Sequence, residues 1–124
     1  MDDQVTQLLE DSLLKIWSER DDAQRMEVMK RIYAADIVFY DSDNGQAIIG
    51  HQALDSLIIK LQDQWPPEFV FVLTKPVAVN HGVSYAAWTL GAANTTPAAS
   101  GVDIAIIEQG LIKELYLYLD DPTS

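Results

Sequence analysis

The stretch from Tyr33 to Asp41 constrains the fold of this chain more than any other part of the sequence. It combines the end of a helical pattern, a short apolar strand and an aspartate placed where the strand stops. A polar turn follows, and Gly50 then precedes another helical pattern. Because a carboxylate at the end of a buried strand is costly to desolvate unless a partner satisfies it, Asp41 is the first candidate for chemistry.

The patterns on either side of this stretch predict the order of the elements. Apolar residues recur with a helical period before Ser18 and again after Asp21. A third helical pattern ends at Pro66 and Pro67, and the period then changes to that of strands. This order is typical of an α+β domain whose three helices pack on one face of a curved antiparallel sheet. The predicted helices are at about 2–17, from an N-cap at Asp21 or Asp22 to about Tyr33, and at 51–65. The predicted strands are one ending at Asp41 and four at 69–73, 83–91, 102–108 and 111–119.

Length, charge and composition exclude several classes of protein. With 124 residues, the sequence predicts a single domain over 1–124. The net charge of −11 argues against nucleic acid and anionic membranes as partners, because phosphate binding needs clustered Lys and Arg. Without cysteine and with two distant histidines, we expect no metal site, and without a glycine-rich phosphate loop we expect no cofactor. No apolar run reaches membrane-spanning length and no signal-peptide pattern is present, so a cytoplasmic location is expected.

Short motifs at the joints between the predicted elements carry a resemblance to a known superfamily. The motifs are Trp17–Asp21, Tyr33–Asp36 leading to Asp41, Gly50, Tyr85–Trp88, Gly101–Asp103 and Gly110–Glu114. Together and in this order, they resemble the nuclear transport factor 2-like superfamily, and within it the SnoaL-like and ketosteroid-isomerase-like proteins. The resemblance implies a cone-shaped curved sheet closed by three helices, with a pocket in its mouth. Its members include isomerases, dehydratases, cyclases, epoxide hydrolases and proteins that only bind, so the fold leaves the function open.

The resemblance also implies roles for two acids. In the ketosteroid isomerases a carboxylate at the place of Asp41 moves the proton, and a protonated carboxylic acid at the place of Asp103 holds the enolate oxygen. This sequence departs from that pattern at two positions. Leu13 stands where those enzymes carry a tyrosine that donates to the oxyanion, and Ile58 stands where they carry a supporting tyrosine.

Each acid also has a purely structural interpretation. Asp41 could cap the turn at 42–45 through its own side chain. Asp103 lies in a strand where it alternates with Ala105 and Ile107, so it faces a pocket, is satisfied by a Tyr or Trp donor, or faces solvent. If both acids serve a pocket, Asp103 should be the more buried and should have the larger upward shift of its pKa.

The sequence therefore predicts a small-molecule pocket protein for an apolar or carbonyl-containing ligand. If it is an enzyme, the predicted class is a ketosteroid-isomerase-like or polyketide-cyclase-like isomerase or lyase that transfers a proton next to a carbonyl. The alternative is a non-catalytic ligand-binding or oligomerising module of the same fold. The predicted catalytic residues are Asp41 and Asp103, and the predicted binding residues are Leu9, Leu13, Trp17, Tyr33, Ile58 and Trp88.

A homodimer is predicted from the strand at 69–73. This strand is apolar on both faces, although only one face can contact the helices. Tyr116 and Tyr118 share a face of the last strand and can extend the outer apolar surface. Apolar patches of this kind commonly mark interfaces between copies of a chain.

Overall fold

The computed structural model describes residues 2–42 and 45–120. No helix in these two ranges is long and apolar enough to cross a lipid bilayer. The helices are α1 (Asp2–Asp11), continued by a π-helical segment (Ser12–Trp17), α2 (Asp22–Ile32) and α3 (His51–Gln62). The strands are β1 (Tyr33–Tyr40), β2 (Ile48–Ile49), β3 (Val70–Leu73), β4 (Ala78–Asn80), β5 (Val83–Gly91), β6 (Ala99–Glu108) and β7 (Leu111–Leu119).

The first predicted helix is not α-helical throughout, because its last six residues form the π-helical segment. The wider π turn brings residues five positions apart onto one side. Ser12 and Trp17 are such a pair, and both contact the hydroxyl of Tyr33. This local change of winding therefore orients the Trp17 side chain.

The other two helices differ from the prediction at their C-terminal ends. Helix α2 begins after Asp21, whose carboxylate accepts the Gln24 N–H at 2.9 Å, as expected of an N-cap. It ends at Ile32, so Tyr33 starts strand β1 and is not part of the helix. Helix α3 ends at Gln62, three residues earlier than predicted. The chain turns ahead of Pro66, because a proline disfavours helical geometry in the residue that precedes it.

The strands form one curved sheet in the order β2-β1-β7-β6-β5-β3, with β4 also paired to β5. All pairs are antiparallel except β1 with β7, which is parallel, so the predicted curved antiparallel sheet is in fact mixed. A hairpin forces neighbouring strands to be antiparallel, whereas β1 and β7 are joined through most of the chain and are free of that constraint. The short strands β2 and β4 were not predicted, and β6 begins at Ala99, earlier than expected.

The inner face of the sheet packs against the helices and forms the core. Alternation along β5 and β6 points Ala86, Trp88, Asp103 and Ala105 to this inner face. The outer face carries the intervening residues, and part of it is exposed and apolar. Because of this alternation, the side chain of Asp103, one of the two candidate acids, points to the interior.

Candidate functional site

A cavity of about 320 Å³ lies between the helices and the inner face of the sheet. Apolar cavities of about 150 Å³ accommodate benzene, so this one has room for a two-ring compound. Among the described residues that line it, only Asp41 and Asp103 are ionisable. The lining residues are Leu13, Trp17, Phe39, Asp41, Leu57, Leu61, Trp65, Phe71, Trp88, Leu90, Ala99, Asp103, Leu117 and Leu119.

Asp103 lies in the wall of this cavity and is only 4% exposed. The indole N–H of Trp88 donates to its Oδ1 at 3.0 Å. Within the part of the chain that the structure describes, its other oxygen, Oδ2, has no hydrogen-bond partner. A Trp donor therefore satisfies one oxygen of the Asp103 carboxyl group, as one of the predicted alternatives stated. The second oxygen is available to a ligand.

Burial raises the pKa of Asp103 to about 7, and the hydrogen bond from Trp88 lowers it in part. The prediction that burial would raise this pKa is confirmed. Near neutral pH both the protonated and the ionised forms of this carboxyl group are therefore accessible. In its protonated form it can donate a hydrogen bond to a ligand oxygen, and in its ionised form it can accept one.

The position of Trp88 depends on a glycine in the neighbouring strand. Gly101 pairs with Trp88 across β5 and β6. A Cβ at position 101 would lie 2.9 Å from the Trp88 ring and 2.7 Å from the Tyr118 carbonyl oxygen, which is closer than real Cβ contacts. Gly101 therefore lets the indole lie across β6, where its N–H reaches Asp103.

Asp41 lies directly after β1 and also lines the cavity, but it is exposed. Its carboxylate lies beside Gly45, where a Cβ would be 2.7 Å from Oδ1. The Gly45 N–H donates to the Ser42 hydroxyl at 3.0 Å, so Ser42 caps this part of the turn. The middle of the turn, 43–44, lies outside the described residues. Asp41 is thus the wetter of the two acids, at the edge of the cavity.

Three of the predicted binding residues line the cavity and three do not. Leu13, Trp17 and Trp88 are in its wall. Leu9 and Ile58 are instead fully buried in the core. On α3 the cavity is lined by Leu57 and Leu61, which lie one helical turn apart, and Ile58 is rotated away from them.

Tyr33 is also buried outside the cavity wall, although it was predicted to bind ligand. Its hydroxyl is 2.5 Å from the Ser12 hydroxyl and accepts the Trp17 indole N–H at 3.2 Å. Burial raises the pKa of Tyr33 far above its ordinary value, and the negative charge of Asp103 raises it further. Tyr33 therefore remains neutral and acts by holding Trp17, which is in the wall.

Sequence reasoning missed most of the remaining wall. Phe39 could have been found because it lies two residues before Asp41 and so shares its face of the strand. Leu90 could have been found in the same way, because it lies two residues after Trp88 and shares its face of β5. Leu117 pairs with Asp103 across β6 and β7, a relation that the sequence alone does not reveal. In the described ranges, no group of three or more His, Cys, Asp or Glu side chains could hold a metal ion.

No protein-family model matches this sequence, and no curated protein matches it significantly. Solved structures do match. One is an isomerase candidate of the SnoaL-like family from Agrobacterium tumefaciens, with a TM-score of 0.83 and 20% identity over 96% of this chain and 99% of that one. Another is a SnoaL-like polyketide cyclase candidate from Jannaschia sp., with a TM-score of 0.77 and 13% identity over 95% of this chain and 86% of that one.

A third match is a ketosteroid isomerase candidate from Kribbella flavida, with a TM-score of 0.68 and 13% identity over 96% of this chain and 79% of that one. Other matches are described as nuclear transport factor 2-like or as having a cystatin-like fold. The chain therefore has the fold of the nuclear transport factor 2-like superfamily, as its sequence motifs predicted. Likeness at these identities shows the fold and leaves the function to the site.

Proposed function

We propose that this protein binds an apolar carbonyl compound in the cavity and transfers a proton at the carbon next to the carbonyl. The observation that carries the proposal is the pair of carboxyl groups in one apolar wall, Asp103 buried and Asp41 exposed. Two acids in different environments are suited to different tasks in proton transfer. That three proteins with this fold are described as isomerase or cyclase candidates supports the proposal.

The two acids would divide the reaction between them. Asp41, in its ionised form, removes a proton from the carbon next to the carbonyl. Electron density then moves to the carbonyl oxygen, and the protonated Asp103 donates a hydrogen bond to the resulting enolate. Asp41 returns its proton to another carbon of the conjugated system, which completes an isomerisation. Neither acid is consumed, and no electrons enter or leave the substrate.

A second candidate is a binding protein without turnover. Leu13 favours it, because this residue lines the cavity and supplies no hydrogen-bond donor to an oxyanion. The side chains of Trp17 and Trp88 cannot replace that donor, since their N–H groups are used by Tyr33 and Asp103. Among the lining residues that the structure describes, the Asp103 carboxyl group and the Trp65 indole N–H then remain as donors to negative charge on the ligand. Measuring turnover separates this candidate from the first.

Hydrogen exchange at carbon tests the proposal without knowledge of the natural substrate. The two-ring ketone 2-tetralone would be incubated with the protein in D₂O near neutral pH, and loss of the signal from hydrogens next to the carbonyl would be followed by NMR. We expect exchange faster than in buffer alone. The D41N substitution should slow the protein-dependent rate by about 100-fold or more, because it removes the base.

Two substitutions at position 103 test the role of the buried acid. D103L removes the donor and should slow exchange by about 100-fold, whereas D103N retains an N–H donor and should slow it less. D63N, which removes an exposed carboxylate outside the cavity, is the matched control and should leave the rate unchanged. If the ketone binds but exchange is no faster than in buffer, the enzyme proposal is wrong and the binding protein remains.

A further inference from the structure

The ionisable side chains that line the cavity have one sign of charge. Both ionisable groups that line it among the described residues are carboxyl groups. Two arginines at the helix ends beside it are already engaged. Arg25 donates to Asp55 at 2.6 Å and pairs with Asp22, and Arg20 donates to the carbonyl oxygen of Pro66 at 3.0 Å. No described lining residue can therefore neutralise an anionic ligand.

Aromatic side chains form a large part of the same wall. Three of them are in edge-on contact, with ring centroids 5.7 Å apart for Trp65 and Phe71 and 5.1 Å apart for Phe71 and Trp88. Trp17 and Phe39 form a second pair at 5.2 Å. Aromatic rings attract organic cations, and the attraction grows when the site is shielded from water.

We infer that the cavity also takes a protonated amine carried on an apolar ring system, with its ammonium group at Oδ2 of Asp103. That oxygen is the unpartnered polar atom of a side chain that is more than nine-tenths buried in the cavity wall. This ligand class goes beyond the carbonyl compound proposed above. The inference rests on the same cavity as the proposed function, but it does not require that the protein be a catalyst.

The ammonium group would pair with Asp103 in its ionised form, so pH should affect this binding. The neighbouring groups are Trp88 on β5 and Tyr33 on β1, and Asp41 lines the same cavity. Tyr33 remains neutral because burial raises its pKa far above the ordinary value. Because burial raises the pKa of Asp103 to about 7, ionisation through neutral pH strengthens binding of a cation and weakens donation to a carbonyl.

Three probes with one naphthalene body test the inference. They are 2-naphthylmethylamine, which stays protonated from pH 5.5 to 8.0, the neutral ketone 2-acetylnaphthalene, and the anion 2-naphthoate. Affinities would be measured by isothermal titration calorimetry at both pH values. At pH 8.0 we expect the amine to bind about tenfold more tightly than the ketone, a difference of about 1.4 kcal/mol, and naphthoate to bind most weakly. At pH 5.5 the preference for the amine should shrink.

Two variants test whether the preference for the amine arises at Asp103. D103N should reduce the affinity for the amine more than that for the ketone, whereas D63N, which removes the same charge from the exposed surface, should leave the preference intact. An amine that binds no more tightly than the ketone at pH 8.0 overturns the inference and leaves the proposed function standing. Equal effects of D103N and D63N also overturn it, because net charge would then explain the preference. If no probe binds, both proposals fall.

Discussion

At the scale of single residues, the two candidate acids show how environment separates chemically identical groups. Asp103 is held in the cavity wall by strand alternation and by the indole of Trp88, whereas Asp41 follows the end of a strand and is exposed. Burial disfavours the charged form of Asp103 and raises its pKa to about 7. The interior thus contains a carboxyl group that keeps its proton over much of the range in which exposed carboxyl groups have lost theirs.

This raised pKa predicts a specific dependence of stability on pH. In the unfolded chain Asp103 ionises near 3.8, and in the folded protein near 7. Between these values the unfolded state loses its proton first, so the contribution of Asp103 to the free energy of unfolding is fully present below the lower value and falls as pH rises. Above 7 both states are ionised and the lost stability stays constant. Each pH unit that separates the two pKa values corresponds to about 1.4 kcal/mol.

The D103N variant isolates this effect, because its amide does not titrate. We expect its free energy of unfolding, relative to wild type, to rise by a few kcal/mol between pH 4 and pH 8, as measured by urea denaturation. Subtracting wild type from the variant at each pH cancels the other carboxylates. A difference that stays constant across this range would show that Asp103 is not desolvated.

At the scale of elements, a buried polar cluster joins the ends of the helices beside the cavity. Gln62, at the end of α3, donates to the carbonyl oxygens of Trp17 at 3.0 Å and Glu19 at 2.9 Å. It accepts from the fully buried Arg25 at 3.3 Å. These bonds hold the turn between the π-helical segment and α2. Trp17 lies at the start of this turn, and its ring is in the cavity wall. The cluster therefore connects helix packing to the shape of the cavity.

Removing the amide of Gln62 should be costly because its buried partners lose hydrogen bonds. We expect Q62L to lower the free energy of unfolding by about 1 to 3 kcal/mol in urea denaturation. Q64L, at an exposed position two residues later, is the control and should change it by less than about 0.5 kcal/mol. Similar effects of the two substitutions would show that the cluster contributes little to stability.

At the scale of the whole molecule, the outer face of the sheet remains without a covering element among the described residues. Val70 and Val72 on β3 are 41% and 51% exposed, and Tyr118 on β7 is 60% exposed. Tyr116 extends this surface and stacks on Tyr40, with ring centroids 4.6 Å apart. Exposed apolar surfaces of this kind favour association, and a twofold dimer is the commonest assembly. We propose that two copies pair through this face.

The V72E substitution tests the dimer. Light scattering should give twice the mass of the chain for the wild type and the mass of one chain for V72E, because a glutamate on this face would be desolvated in the interface. Q52E adds the same charge on the exposed side of α3 and should remain dimeric. A wild type that is monomeric at high concentration would contradict the proposal.

The sequence by itself determined the helices, the main strands and their order, because hydrophobic periodicity, caps and prolines are local signals. It also placed Asp103 on the same face of its strand as Ala105, since alternation has a fixed period. Only the tertiary structure decided that β1 runs parallel to β7, that Leu117 lies opposite Asp103, and that Tyr33 bonds to Trp17 outside the cavity. These relations join residues far apart in the chain, and no local pattern encodes which distant strand or side chain will be the neighbour.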